Sequence, residues 1–265
     1  MSSISYLPLI ETVSRSFTYL LKDFRTFLKI CSVFLILWLA DLVTGHPILC
    51  NFNVIPCTSS STSWIMNILM YLAATVVSVE TIRHIILKQE YQWGHLSFGM
   101  NNIRYIAYNM LIALMVILPS ALMLMIALYA DSSHVSRLTS GTLRASFIVT
   151  LIGLSIFCCR LYLVYVGAAI GNRSMSLGRS YLLTAGNMLL ICIGQMLLAI
   201  PTIILVYLCY SIYSFLPTTE VTQGMFAALI LLCYFFDTAL KASYYSHLYQ
   251  FFTHTNKRTT KKSLI

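Results

Sequence analysis

Glu80, Arg83, Arg160, Asp237 and Lys241 are the residues best placed to do chemistry, because each is ionisable and each lies within a long apolar run. Glu80 and Arg83 are three apart, with His84 beside them. Asp237 and Lys241 are four apart, acid before base, so in a helix each pair shares a face. Arg160 has no acid near it in sequence and needs a partner from another segment, for which Glu80 and Asp237 are the candidates. A charge at the centre of a bilayer costs about 2.5–3.5 kcal/mol on insertion scales, so such groups turn inward and pair. Two readings follow. The cluster is either a polar pocket for an anionic headgroup or small solute, or an internal ion network that fixes helix orientation.

The segments that must carry these residues are unusually apolar. Of 265 residues, 58% are hydrophobic and 9% charged, against roughly 25% charged in a soluble domain, and the mean hydropathy is +0.81. Lipid is the solvent that suits such a surface. Six runs reach the ~20 residues that cross a bilayer: Phe24–Thr44, Trp64–Leu87, Met110–Ala130, Phe147–Ile170, Met188–Phe215 and Met225–Phe251. Backbone groups in lipid must be satisfied within the segment, which predicts helices, and the runs are too uniformly apolar for alternating barrel strands. The expected fold is all-α: one membrane domain over 1–265, with an amphipathic segment at 1–23, six transmembrane helices within 24–251 and a basic tail at 252–265. Glu11, Arg15, Lys22, Asp23 and Arg25 interrupt any early apolar core, so no cleavable signal peptide is expected.

The +9 formal charge could suggest nucleic acid, but the cations cluster at the ends of apolar runs, which is a topology signal. Arg15, Lys22, Arg25, Lys29, Arg83, Lys88, Arg104, Arg173, Arg179, Lys257, Arg258, Lys261 and Lys262 fall on one side, and only Arg137 and Arg144 on the other. The positive-inside rule then places both termini in the cytoplasm, in a cell inner (plasma) membrane.

An internal repeat is visible before the odd-numbered spans. Asp23, Asn109 and Asn187 each precede an apolar residue at a span start, as helix N-caps do. Leu96-Ser97-Phe98-Gly99 is similar to Met175-Ser176-Leu177-Gly178 upstream of two of them. These features predict three pseudo-repeated hairpins, each preceded by a short cytoplasmic interfacial helix. In the N-terminal segment Leu9, Val13, Phe17, Leu20, Leu21 and Phe24 share one helical stripe; the alternative is a plain extension of the first span. Gly167 and Gly171, four apart at the end of span four, predict close helix packing.

The run Ser176–Asn187, Ser-Leu-Gly-x-Ser-Tyr-x-Leu-Thr-x-Gly-Asn, resembles the S-W-x-L-T-x-G-N motif of bacterial six-span inner-membrane proteins. These are related to the membrane domain beside some glycerophosphodiester phosphodiesterases, and Tyr181 stands where that motif has Trp. The last span is also similar, with its Tyr245-x-x-Leu248 close. The resemblance implies six spans and a bacterial inner membrane. It implies no phosphodiesterase activity, since that belongs to a separate soluble domain.

Cys50 and Cys57 share the first external loop, where a disulfide and two free thiols are both open readings. The chain has no HExxH, GxSxG or GxxxxGK[ST], and its six histidines lack ligand spacing. The expectation is therefore no enzyme, metal or cofactor. Membrane lipids are the expected partners, and a docking role for Leu9–Phe24 toward another membrane protein is the competing reading.

Overall fold

The computed structural model describes residues 7–43, 60–90, 98–132, 137–217 and 219–262. The described residues form ten helices and no strand: α1 (Leu9–Lys22), α2 (Phe24–Ile30), α3 (Val33–Val43), α4 (Ser60–Leu87), α5 (Met100–Ser132), α6 (Arg137–Cys159), α7 (Leu163–Ala169), α8 (Leu177–Leu183), α9 (Met188–Ser214) and α10 (Glu220–Lys262). Among them, Trp64–Leu87, Met100–Ile126, Met188–Ser214 and Glu220–Thr253 are long and apolar enough to cross a membrane. Ala145–Cys159 and Leu163–Ala169, bent by 43° at their junction, make a fifth crossing if taken together. The described residues are thus all-helical, with several segments suited to a multi-pass membrane protein.

Three expectations change in detail. The run expected as a first span, Phe24–Thr44, is two helices broken at Cys31 and Ser32, neither long enough alone. The third begins ten residues early, at Met100, so Asn109 lies inside a helix and caps nothing. The basic tail continues α10 as helix to Lys262. Asp23 and Asn187 do hold N-cap positions, of α2 and α9, but neither side chain makes the capping bond.

Helix α10 is the hub, with α1, α3, α4, α7 and α9 all packed on it. Its buried faces include Leu231, Phe235, Leu240 and Leu248, interspersed with Ala239, Ala242, Ser243 and Ser246, whose small size lets neighbours come close. Helix α4 is similarly internal, buried throughout Ala73–Ile82, whereas most of α5 beyond Ile112 is exposed. The α5 helix therefore stands at the periphery, held by α4, α6 and α7.

Helix α1 packs on α9 and α10. Its most buried residues are Thr12, Ser16 and Leu20, one per turn. The two hydroxyls donate to their own helix, to the carbonyls of Pro8 and Thr12 at 2.9 Å, so burying them leaves no donor unpaired. The expected apolar stripe therefore divides. Leu9, Val13 and Phe17 are half-buried beside this seam, whereas Leu21 and Phe24 face outward together with Ile10.

Helices α9 and α10 pack closely at Gly194. A Cβ on Gly194 would collide with the Tyr244 hydroxyl oxygen and sit 2.5 Å from its ring carbon Cζ. Tyr244 is wholly buried and donates to the Ile191 carbonyl at 3.3 Å, so it has nowhere to retreat. Overpacking of this kind costs about 1–3 kcal/mol. Gly194→Ala is expected to lower the melting temperature in detergent, and adding Tyr244→Phe to recover part of the loss. An unchanged melting temperature in the single variant would refute the close packing.

Candidate anion-binding site

The five residues expected to form one intramembrane cluster divide into local groups. Arg83 Nη1 meets Glu80 Oε1 at 3.5 Å within α4, and Lys241 Nζ meets Asp237 Oδ2 at 2.5 Å within α10. Both pairs are the i,i+3 and i,i+4 partners that their spacing predicts. Asp41, wholly buried in α3, is a further acid in an apolar run, with the same signal as Glu80 and Asp237, that the sequence reading misses. Cys50 and Cys57 lie outside the described residues. Among the described residues no three His, Cys, Asp or Glu side chains converge as metal ligands would.

Arg160 does not reach Glu80 or Asp237 for a partner. Its Nη2 donates to the Tyr181 carbonyl at 2.6 Å, its Nε to Thr184 Oγ1 at 3.4 Å, and its guanidinium carbon lies 3.5 Å from the centre of the Tyr181 ring. The reason lies in the backbone. Between α6 and α7 the hydrogen bonds tighten to i,i+3 spacing, from Arg160 N–H to Phe157 O and from Leu161 N–H to Cys158 O. The Arg160 carbonyl instead accepts the Ser180 hydroxyl at 2.7 Å and the Thr184 hydroxyl at 3.3 Å. The Ser180–Asn187 motif thus grips the bend from both sides, by Arg160's side chain and by its carbonyl.

Asparagines tie the rest of this end together. Asn187 Oδ1 accepts the Leu7 N–H at 2.8 Å, anchoring the segment before α1 to the start of α9. Asn109 donates to the Tyr71 hydroxyl at 2.9 Å and accepts from Tyr165 at 3.1 Å, joining α4, α5 and α7. Asn172 Nδ2 donates to the Tyr249 hydroxyl at 2.7 Å, while its Oδ1 accepts from the Ser174 N–H and hydroxyl.

A cavity of about 460 Å³ opens at this same end, between the start of α5 and the end of α7. Its polar lining is Arg104, Tyr108, Asn172 and Arg173, and Ala107, Gly167, Ala168, Gly171 and Met175 complete the wall. The volume lies within the range of ~300–1,000 Å³ common for ligand pockets. The glycines expected to mediate helix packing shape it. Gly171, at φ +73°, ends α7, with the Asn172 N–H reaching back to Gly167 O at 2.8 Å and the Gly171 N–H to Ala168 O at 3.2 Å. This turn delivers Asn172 and Arg173 to the mouth. At Gly167 an added Cβ would lie 2.5 Å from Met175 Cβ, so the returning chain fits only against a glycine.

The side chains of Arg104 and Arg173 make no hydrogen bond or ion pair among the described residues. Two like charges facing one cavity repel unless an anion joins them. Arginine's fork of donors suits phosphate or carboxylate. Sequence reading assigns both residues to topology alone, because a cation at a span end carries the same signal in either role.

The arginines should separate by experiment. Arg160→Gln, which removes a stacked and hydrogen-bonded cation, is expected to cost about 1–3 kcal/mol of stability. Arg104→Gln and Arg173→Gln should stay within about 0.5 kcal/mol of wild type, as surface substitutions do. Melting curves in neutral detergent measure both, and equal losses at all three positions would remove the distinction. Comparison with family models finds no match to this chain, and comparisons with curated proteins and with solved structures find no significant match either.

Proposed function

We propose that this chain is a non-catalytic multi-pass membrane protein that binds an anionic group, a lipid headgroup or a small anionic solute, in the Arg104–Arg173 cavity. The observation that carries the reading is the cavity itself, ligand-sized and lined by two arginines without protein partners among the described residues. The cluster of Glu80, Arg83, Asp237 and Lys241 is then structural, since its charges pair within their own helices.

In this reading the chain crosses the membrane six times, α2 with α3 forming one broken crossing and α6 with α7 one bent crossing. Both termini are cytoplasmic, so the cavity faces the cytoplasmic leaflet of a bacterial-type inner membrane. Helix α1 lies in the interface: Ile10, Leu21 and Phe24 point outward, and Glu11, Arg15 and Lys22 are exposed to water. The three-hairpin repeat is supported unevenly. Helices α1 and α8 each end in a turn before the next helix, whereas α5 runs straight through the equivalent position. A scaffold role has less support, because the inner face of α1 already rests on α9 and α10.

Binding is read by thermal shift in neutral detergent, with glycerol phosphate and phosphatidylglycerol as probes. Either probe should raise the melting temperature of wild type, and the Arg104→Gln/Arg173→Gln double variant should weaken apparent affinity by about tenfold or more, as expected on losing charge-assisted contacts. Affinity for glycerol phosphate should also fall as salt rises. If neither probe distinguishes wild type from the double variant, the proposal fails.

A further inference from the structure

Resting on that reading, we infer that the ligand is a lipid, its phosphate held by Arg104 and Arg173 and an acyl chain laid along one face of α5. On α5 the steps from Arg104 to Tyr108, Leu111, Met115 and Leu118 are of three and four residues, so these positions form one continuous stripe. Its upper end lines the cavity, and its lower end is open: Leu111 and Met115 are 39% and 40% exposed, and Leu118 60%. The packed face of α5 runs through Tyr105 and Ile112, both buried; Tyr108 lies at its edge, and Leu111, Met115 and Leu118 lie away from it. The stripe is thus left for something outside the protein.

The dimensions agree with one leaflet. From Tyr108 to Leu118 is ten residues, about 15 Å of helix, half of a ~30 Å hydrocarbon layer. A soluble anion would use the arginines alone, and the stripe would face bulk lipid like the rest of the exposed helix. A phospholipid uses both, because its charged and apolar parts are joined at the spacing of the cavity and the stripe. Charge selects the lipid class: two unpaired cations favour a net-anionic headgroup over a zwitterionic one, whose own cation would be repelled.

The test measures binding of phosphatidylglycerol, phosphatidylcholine and glycerol phosphate to the full chain by native mass spectrometry in neutral detergent. Phosphatidylglycerol is expected to bind about tenfold or more tightly than either other probe, a gap set by its buried chain and its charge. Leu111→Ala/Met115→Ala/Leu118→Ala should remove most of the preference for phosphatidylglycerol over glycerol phosphate and leave glycerol phosphate binding unchanged. Ala107→Trp, which fills the cavity from an exposed position, should abolish both and serves as a second variant if the triple one folds poorly. Equal affinity for glycerol phosphate and phosphatidylglycerol, lost in the Arg104→Gln/Arg173→Gln variant, overturns the lipid inference but keeps the anion site. Binding of every probe that ignores both arginines overturns the two together.

Discussion

The absence of a side chain at Gly194 is the constraint on which the bundle depends. Tyr244 fills that space, and its seating sets the distance between α9 and α10. Because α10 also carries α1, α3, α4 and α7, the distance propagates to every interior helix. In lipid there is no hydrophobic force drawing helices together, so close packing and interhelical hydrogen bonds must do so. Small residues on α10 and the asparagine–tyrosine links at Asn109 and Asn172 are the local forms of those two forces.

Electrostatics plays a smaller part in holding the fold than the intramembrane charges suggest. The Glu80–Arg83 and Asp237–Lys241 ion pairs each close within a single helix, so neither pair ties one helix to another. Neutralising a charge close to where it is made avoids the cost of bringing two distant ions out of water. Arg160 is the exception in kind: it binds carbonyl and hydroxyl oxygens and an aromatic face rather than an acid. Its role is to hold a bent segment to the helix that follows.

The parts of the fold legible in sequence are those set by local periodicity. The segment Trp64–Leu87 is readable because it is long and predominantly apolar despite Glu80 and Arg83, and the Asp237–Lys241 pair because helical spacing alone brings it together. The break at Cys31–Ser32 is not readable, since neither residue is a helix breaker and the run continues on both sides. Asn109 misleads for a related reason: an Asn before an apolar stretch looks like a cap, yet the helix starts earlier and uses that side chain to meet Tyr71 and Tyr165. The cavity is hidden more deeply. It needs α7 to end at Gly171 and the chain to return past Gly167, and Arg104 and Arg173, 69 positions apart, then meet only through tertiary structure.

The bond from Leu7 to Asn187 spans 180 positions, and α1 rests on the last two helices of the bundle. A growing chain makes α1 well before α9 and α10, on which it rests. At ordinary synthesis rates of roughly 5–20 residues per second, that interval is on the order of ten to forty seconds. During it, the buried seam of Thr12, Ser16 and Leu20 has no protein to cover it. Helix α1 is therefore made long before it can be placed, and its docking waits for the two helices that seat it.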